Sequence, residues 1–202
     1  MFDYSKAIHK DFGSYKIQND IIIAPFWTEE FCKQIVEVCE LHSKRFLINR
    51  DPFYFTEEMP VSKLSPIFLE DFALHLKSFL PILSKDWLFL DAEVVGLDSP
   101  YIIRYRKDGR REINLHCDNS VISFYIKLND DYTGCNLEFP KQNFNVKDVY
   151  VGHAIIWPGA VTHPHRTDSK LIDGVKYSFT AFCKGADHNF PRYDPVFGYN
   201  FK

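Results

Sequence analysis

His116 and Asp118 stand two residues apart in EINLHCDNSVISFYIKLN, a stretch whose apolar, β-branched and aromatic residues read as a strand, a turn and another strand. Residues two apart on a strand share a face, so an imidazole and a carboxylate are delivered together. His165, in WPGAVTHPHRTD, lies 47 positions beyond Asp118 and offers a third ligand. Two imidazoles and one carboxylate on one face of a metal leave positions open for substrate and oxygen, the arrangement that suits non-haem Fe(II) chemistry. His163 competes with His165, since both lie on the same face of an extended segment. An HxD pair alone is a weak signal, because a His–Asp hydrogen bond has ordinary structural uses. Lys176, near the start of KYSFTAFC, adds context. Alternation puts Lys176, Ser178 and Thr180 on one face and Tyr177, Phe179 and Ala181 on the other. A cation there suits a dicarboxylate whose keto end chelates the metal and whose far carboxylate needs a salt bridge.

The elements that must hold these residues are mostly strands. From residue 91 onward the chain shows candidate strands at 91–97, 100–107, 112–118, 121–129, 135–140, 144–151, 152–157, 161–166 and 176–184, separated by Gly, Asp, Asn and Pro. Short strands in sequence without intervening helices point to an antiparallel jelly roll or barrel. In 121–129, Ile122, Phe124, Ile126 and Leu128 form the face that packs under helices, while Ser123 and Tyr125 look the other way. Upstream, residues 1–19 are a polar lead-in and DIIIAPF is a short buried strand. Thr28 caps a helix with Phe31, Ile35, Cys39 and His42 on one stripe. Residues 44–64 show no period and read as a long loop, with Glu57 and Glu58 as a solvated acidic pair; contact with a cationic substrate is the other use for them. A second helix starts at Ser65-Pro66, carries Phe68, Phe72, Leu76, Phe79 and Leu80, and is expected to end at Pro81. The expected class is therefore mainly β with flanking helices, a jelly-roll core with the N-terminal helices packed on one sheet.

The segments YIIRYRKDGRREINLHCD, IKLNDDYTGCNLEF and GHAIIWPGAVTHPHRTD resemble the C-terminal catalytic domain of procollagen lysyl hydroxylases, within the 2-oxoglutarate/Fe(II) dioxygenases. The likeness covers residues 90–184 well and the leading helices loosely. It implies a double-stranded β-helix fold, with His116, Asp118 and His165 as iron ligands and Lys176 as partner of the distal 2-oxoglutarate carboxylate. It also implies that Tyr105 touches the cosubstrate, although Tyr105 shares a face with Tyr101 and Ile103 and has an ordinary packing role open to it. Tyr125 occupies a cosubstrate-contacting position where the family usually has asparagine, and Ser178 lies on the same polar face as Lys176. Lys176 replaces the family's usual arginine, as in the related prolyl hydroxylases, and lies 11 positions after His165, one more than the family pattern suggests. The implied cofactors are Fe(II), 2-oxoglutarate and O2, with ascorbate as an accessory. The implied reaction hydroxylates an unactivated C–H bond of a lysyl or other peptidyl residue and releases succinate and CO2. Prolyl residues, free amino acids or small metabolites are alternative substrates, and a non-catalytic, cupin-like binding module is the alternative outside the enzyme class.

Composition bounds the remaining expectations. A length of 202 residues suits one domain, with its core at about 90–184, helical support and a loop at 1–89, and a tail at 185–202. The 19 Phe and 11 Tyr favour strands and a large core. A net charge of −3 and a pI near 6.2 argue against a nucleic-acid-coating surface. The basic group Arg104, Arg106, Lys107, Arg110 and Arg111 reads as a solvated hairpin edge. Five cysteines without a CxxC pair favour a reducing compartment, and Cys117 reads as a small buried thiol. With no apolar leader or membrane-length run, a cytoplasmic location and no membrane partner are expected; the substrate is a peptide, protein or amino acid. His9, His42, His75, His153 and His188 have no partner at ligand spacing.

Overall fold

Thr28 begins the first long helix by accepting a hydrogen bond from the Phe31 amide, and its hydroxyl donates to Lys6 O, tying the N-terminal segment to the cap. Helix α1 (Glu29–Leu41) buries Phe31, Cys32, Ile35 and Cys39. Ser65 Oγ accepts from the Phe68 amide at the start of α3 (Pro66–Leu83), which follows the single turn α2 (Val61–Leu64). The computed structural model describes residues 2–49, 56–83, 85–86, 94–185 and 199–200. Contrary to expectation, α3 continues past Pro81 to Leu83. Proline removes one amide donor, but Leu80 and the fully buried Leu83 hold this last turn against the core.

The strands are β1 (Lys16–Gln18), β2 (Ile21–Pro25), β3 (Leu47–Asn49), β4 (Thr56–Pro60), β5 (Val94–Arg106), β6 (Ile122–Lys127), β7 (Tyr132–Thr133), β8 (Leu137–Phe139), β9 (Phe144–Asn145), β10 (His153–Pro158), β11 (Arg166–Thr167), β12 (Asp173–Gly185) and β13 (Tyr199–Asn200). A large sheet has the order β1-β2-β10-β6-β12-β5-β4-β3, with β13 on β5 and β7 on β12; a small sheet has the order β11-β8-β9. The strand pairings are antiparallel. The expected class, mainly β with N-terminal helices on one sheet, is what forms.

Alternation sorts the faces of the large sheet. Ile22, Ala24, Ile122, Phe124, Ile126, Ala154, Ile156, Tyr177, Phe179 and Ala181 join the helices in one core. Phe72 of α3 meets Phe179 at a ring separation of 4.5 Å. Each such buried aromatic or aliphatic side chain contributes roughly 1.5–3 kcal/mol. The opposite face packs Ile21, Ile23, Tyr125, Ile155 and Trp157 against Leu137, Phe139 and Phe144 of the small sheet. Because β2 is covered on both sides, its sequence is an unbroken apolar run rather than an alternating one.

Four expectations are corrected. The 44–64 segment is not a loop throughout: β3 and β4 add two strands to the sheet edge, with Glu58 paired to Ile103 and Glu57 to Arg104. Its period was hidden because polar side chains point inward. Glu57 is not solvated; Arg104 and Arg106 both donate to its buried carboxylate, so Arg104 belongs to a buried pair rather than a solvated edge. The 112–118 segment is irregular apart from a bridge between His116 and His165, and 144–151 and 161–166 shrink to β9 and β11. Cys117 is exposed rather than buried. The candidate strand 91–97 is continuous with 100–107 from Val94 on; residues 91–93, His188 and most of the 185–202 tail lie outside the described residues, while Tyr199 pairs with Leu97.

Candidate active site

The irregular segment that carries His116 and Asp118 is held by specific hydrogen bonds in place of a ladder. The Ile113 amide donates to Thr167 Oγ1, the His116 and His165 backbones exchange two hydrogen bonds, and the Asp118 amide donates to Gly159 O. Gly159 is required at that crossing, because a Cβ there would collide with Ser120. His116 and Asp118 therefore meet His165 across an isolated antiparallel bridge. Asp118 Oδ1 lies 3.6 Å from His116 Nε2 and 3.5 Å from His165 Nε2, and one ligand atom from each residue falls within 4.8 Å of the other two.

The donor set fits a metal ion. His116 Nδ1 donates to Asn114 O at 2.7 Å and His165 Nδ1 to His163 O at 3.0 Å, which leaves each Nε2 lone pair directed at the shared site. Ser123 Oγ donates to the second oxygen of Asp118. Burial would raise the Asp118 carboxyl, but the His165 imidazole, the Ser123 hydroxyl and His116 outweigh it and hold it below the usual carboxylate range. Burial likewise opposes charge on His165, yet Asp118 and the His163 carbonyl raise it above the ordinary imidazole value. His116 is lowered, by burial first and by His165 second. His163 is excluded from this group: its Nδ1 accepts from Thr162 Oγ1 and its Nε2 donates to Asp20 O.

The triad opens into a cavity of about 320 Å3. Tyr101, Ile103 and Tyr105 of β5 and Lys176, Ser178 and Thr180 of β12 line it, as alternation predicted for both strands. Lys176 is almost fully buried. Its Nζ lies 4.8 Å from the Tyr105 ring centre and 5.6 Å from that of Tyr125, and it donates to Cys135 O. Burial lowers its pKa from the ordinary lysine value. Trp157 Nε1, buried on the cavity wall, has no hydrogen-bond partner among the described residues, and the buried Tyr125 hydroxyl faces that of Tyr132. Orphaned donors at a cavity wall are costly unless a polar ligand satisfies them.

The seven residues singled out in the sequence thus line one cavity. Others were not singled out as site residues. Trp157, whose ring lies 5.0 Å from that of His165, is one of them. Thr56 and Asp98 gave no signal, and Glu58 carried only its charge.

No protein-family model matches the chain. The chain is 24% identical over 190 residues to the procollagen lysyl hydroxylase and glycosyltransferase of Acanthamoeba polyphaga mimivirus, covering 86% of this chain and 20% of that protein. It is 22% identical to human procollagen-lysine,2-oxoglutarate 5-dioxygenase 2, covering 88% of this chain and 26% of that protein. It therefore spans about a fifth to a quarter of the length of these relatives. Among solved structures, a prolyl-4-hydroxylase from Pseudomonas putida superposes with a TM-score of 0.62 at 12% identity, covering 82% of this chain and 92% of that one. A Trichoplax adhaerens prolyl hydroxylase, in complex with a peptide fragment of the hypoxia inducible factor oxygen degradation domain, gives 0.60 at 16%, covering 82% and 84%. The fold is that of the double-stranded β-helix 2-oxoglutarate oxygenases. The chain resembles the lysyl and prolyl hydroxylases among them, and His116, Asp118 and His165 form its facial triad.

Proposed function

We propose that this chain is an Fe(II)- and 2-oxoglutarate-dependent dioxygenase that hydroxylates an unactivated C–H bond, most simply of a lysyl residue in a peptide, with succinate and CO2 as co-products. The observation that carries the reading is the combination, in one cavity, of a His-Asp-His triad with its Nε2 atoms turned inward and a buried lysine. The lysyl target follows the names of the sequence relatives; a peptide substrate is also consistent with the Trichoplax complex. Residues 1–202 are taken as one domain, because the helices and both sheets share buried surface.

Bound iron and 2-oxoglutarate would supply oxygen activation and the electrons for it. The protein's part is to hold and shield them. His116, Asp118 and His165 would hold the metal from one side, leaving the remaining positions to cosubstrate and oxygen. Lys176 would exchange the neutral Cys135 O for the distal carboxylate, so that both partners of the bond are charged. Tyr125 Oη would donate to the same ligand; Tyr105 packs against the Lys176 ammonium and Ser178 lines the same wall. Ile113, Leu137 and Trp157 make the wall apolar and keep water from the reacting carbon.

The test is Fe(II)-dependent succinate release from 2-oxoglutarate, with and without ascorbate, using a peptide library and an amino-acid panel, followed by mass spectrometry of the products. A hydroxylated lysyl peptide is expected. A protein that neither binds Fe(II) nor releases succinate, and that His116→Ala leaves unchanged in both respects, would overturn the assignment.

A further inference from the structure

Residues 159–165 form a loop fastened at both ends to the segment that carries the other two ligands. Gly159 O accepts the Asp118 amide at its start, and the His165 backbone exchanges two hydrogen bonds with His116 at its end. Between these anchors the chain is irregular. The Thr162 amide donates to Ala160 O at 2.7 Å and closes a three-residue turn around Val161. Val161 has a φ of +63°, which a β-branched residue rarely adopts, and it is exposed. A turn of this kind is held by its surroundings rather than by its own preference.

Those surroundings come from two turns distant in sequence. In the turn between β1 and β2, Asn19 and Asp20 both have positive φ, and so does Asn143 in the turn before β9. Asn and Asp tolerate that conformation better than other residues with a side chain. Asn19 Nδ2 donates to Gln142 O at 2.8 Å, Gln142 Nε2 donates to Thr162 O at 3.0 Å, and His163 Nε2 donates to Asp20 O at 3.2 Å. These bonds make a ring that runs from the β1–β2 turn through residues 140–143 to the ligand loop and back.

His163 is the member of the ring that reaches the triad. It is buried, and Thr162 Oγ1 donates to its Nδ1 at 2.8 Å, which fixes the tautomer able to donate from Nε2 to Asp20 O. The His163 carbonyl in turn accepts from His165 Nδ1 at 3.0 Å. The position of that one carbonyl sets the rotation of the His165 ring, which packs against Phe139 and Trp157 at ring separations of 5.3 and 5.0 Å. A ring so oriented presents Nε2 to the site shared with His116 and Asp118. Packing alone would be served by an apolar side chain at 163, without the desolvation that a buried imidazole costs.

We propose that His163 is a positioning residue for the metal centre: through its bond to Asp20 O it holds the carbonyl that orients His165. This rests on the dioxygenase reading above and adds how the third ligand is kept in place. His163 acts through His165 and does not itself touch the metal.

The experiment titrates the full chain with Mn(II) and uses Co(II) as a spectroscopic probe of the ligand geometry, with thermal unfolding of the metal-free protein to monitor folding. His163→Leu cannot donate to Asp20 O; it is expected to weaken Mn(II) binding about 10- to 100-fold and to change the visible absorption of bound Co(II). His163→Gln, whose amide nitrogen reaches about as far as Nε2, is expected to restore both to the parent values. Thr162→Val keeps the imidazole but removes its Nδ1 donor, and is expected to weaken Mn(II) binding severalfold. A folded His163→Leu that binds Mn(II) within about threefold of the parent overturns the proposal. So does a folded His163→Gln that binds as weakly as His163→Leu, the result that a direct ligand at 163 would give. Should His163→Leu fail to fold, Thr162→Val decides, and an affinity equal to that of the parent overturns the proposal. A parent chain that does not bind Mn(II) strikes the dioxygenase reading instead, so the two failures are distinct.

Discussion

Lys176→Met separates binding from folding in a single substitution. Methionine keeps the length of the side chain and removes its charge. In the parent, Lys176 Nζ is enclosed by the Tyr105 and Tyr125 rings and donates to the backbone of Cys135. A hydrogen bond to a charged group contributes about 1.5–3 kcal/mol. Loss of the bond to the distal carboxylate should then raise the Kd for 2-oxoglutarate roughly 10- to 150-fold. The metal-free protein responds differently. Burial lowers the Lys176 pKa in the fold, so the folded state binds that proton less tightly than the unfolded chain does. The resulting penalty is fullest below the folded pKa and fades as pH rises from there to the ordinary lysine value. Methionine removes the penalty but leaves Cys135 O short of a donor, which costs about 1–3 kcal/mol. The two effects oppose each other. Since 1 kcal/mol moves the midpoint of a chain of this size by about 2–4 °C, Tm at neutral pH should shift by only a few degrees. Calorimetric titration of 2-oxoglutarate into Mn(II)-loaded protein and thermal unfolding of the metal-free protein measure the two quantities. A Kd within about threefold of the parent would refute the role of Lys176; a collapse of Tm by more than about 10 °C would refute the balance argued for the empty site.

Three further outcomes are expected. Ser123→Ala removes the donor that orients the second oxygen of Asp118, and metal affinity, read by Mn(II) titration, should fall about 10- to 100-fold while the fold persists. In the metal-free protein the raised His165 pKa stabilises the fold fully below the ordinary imidazole value, and that contribution is lost as pH rises through the folded value. His165→Gln should flatten this segment of the pH–stability curve, and an unchanged curve would contradict the coupling to Asp118. Glu57→Ala leaves Arg104 buried without its carboxylate, at a cost of about 3–5 kcal/mol, or roughly 6–20 °C in Tm. Adding Arg104→Met should recover much of that loss, and a double variant no more stable than Glu57→Ala would argue against a buried pair.

Much of the site was legible because its residues obey a period. Alternation alone put Lys176 and Ser178 on one face of β12 and Tyr101 and Tyr105 on one face of β5, and both faces line the cavity. Thr28 and Ser65 announced their helices because a side-chain oxygen at a helix start has one common use. Where local pattern and local structure parted, a distant partner was responsible. His116 and Asp118 share a site without sharing a strand, since hydrogen bonds to Gly159, His165 and Thr167 replace the ladder that alternation assumed. Residues 56–60 look aperiodic because polar side chains on one face serve the cavity and Glu57 on the other is neutralised from β5.

The sequence by itself determined the ligand types, the faces of the regular strands, the helix starts and the resemblance to hydroxylases, all of which depend on short-range spacing or on motif. The resemblance named His165 over His163, and only the tertiary structure supplies the reason, because the choice turns on which imidazole Nε2 is left free once backbone carbonyls and Thr162 have taken their hydrogen bonds. That structure alone brought Glu58 and Asp98 to the same cavity as Lys176, since that placement depends on an edge pairing between β4 and β5 and on a one-residue slip between β5 and β12. Register is a property of two strands together, and neither strand's sequence states it alone.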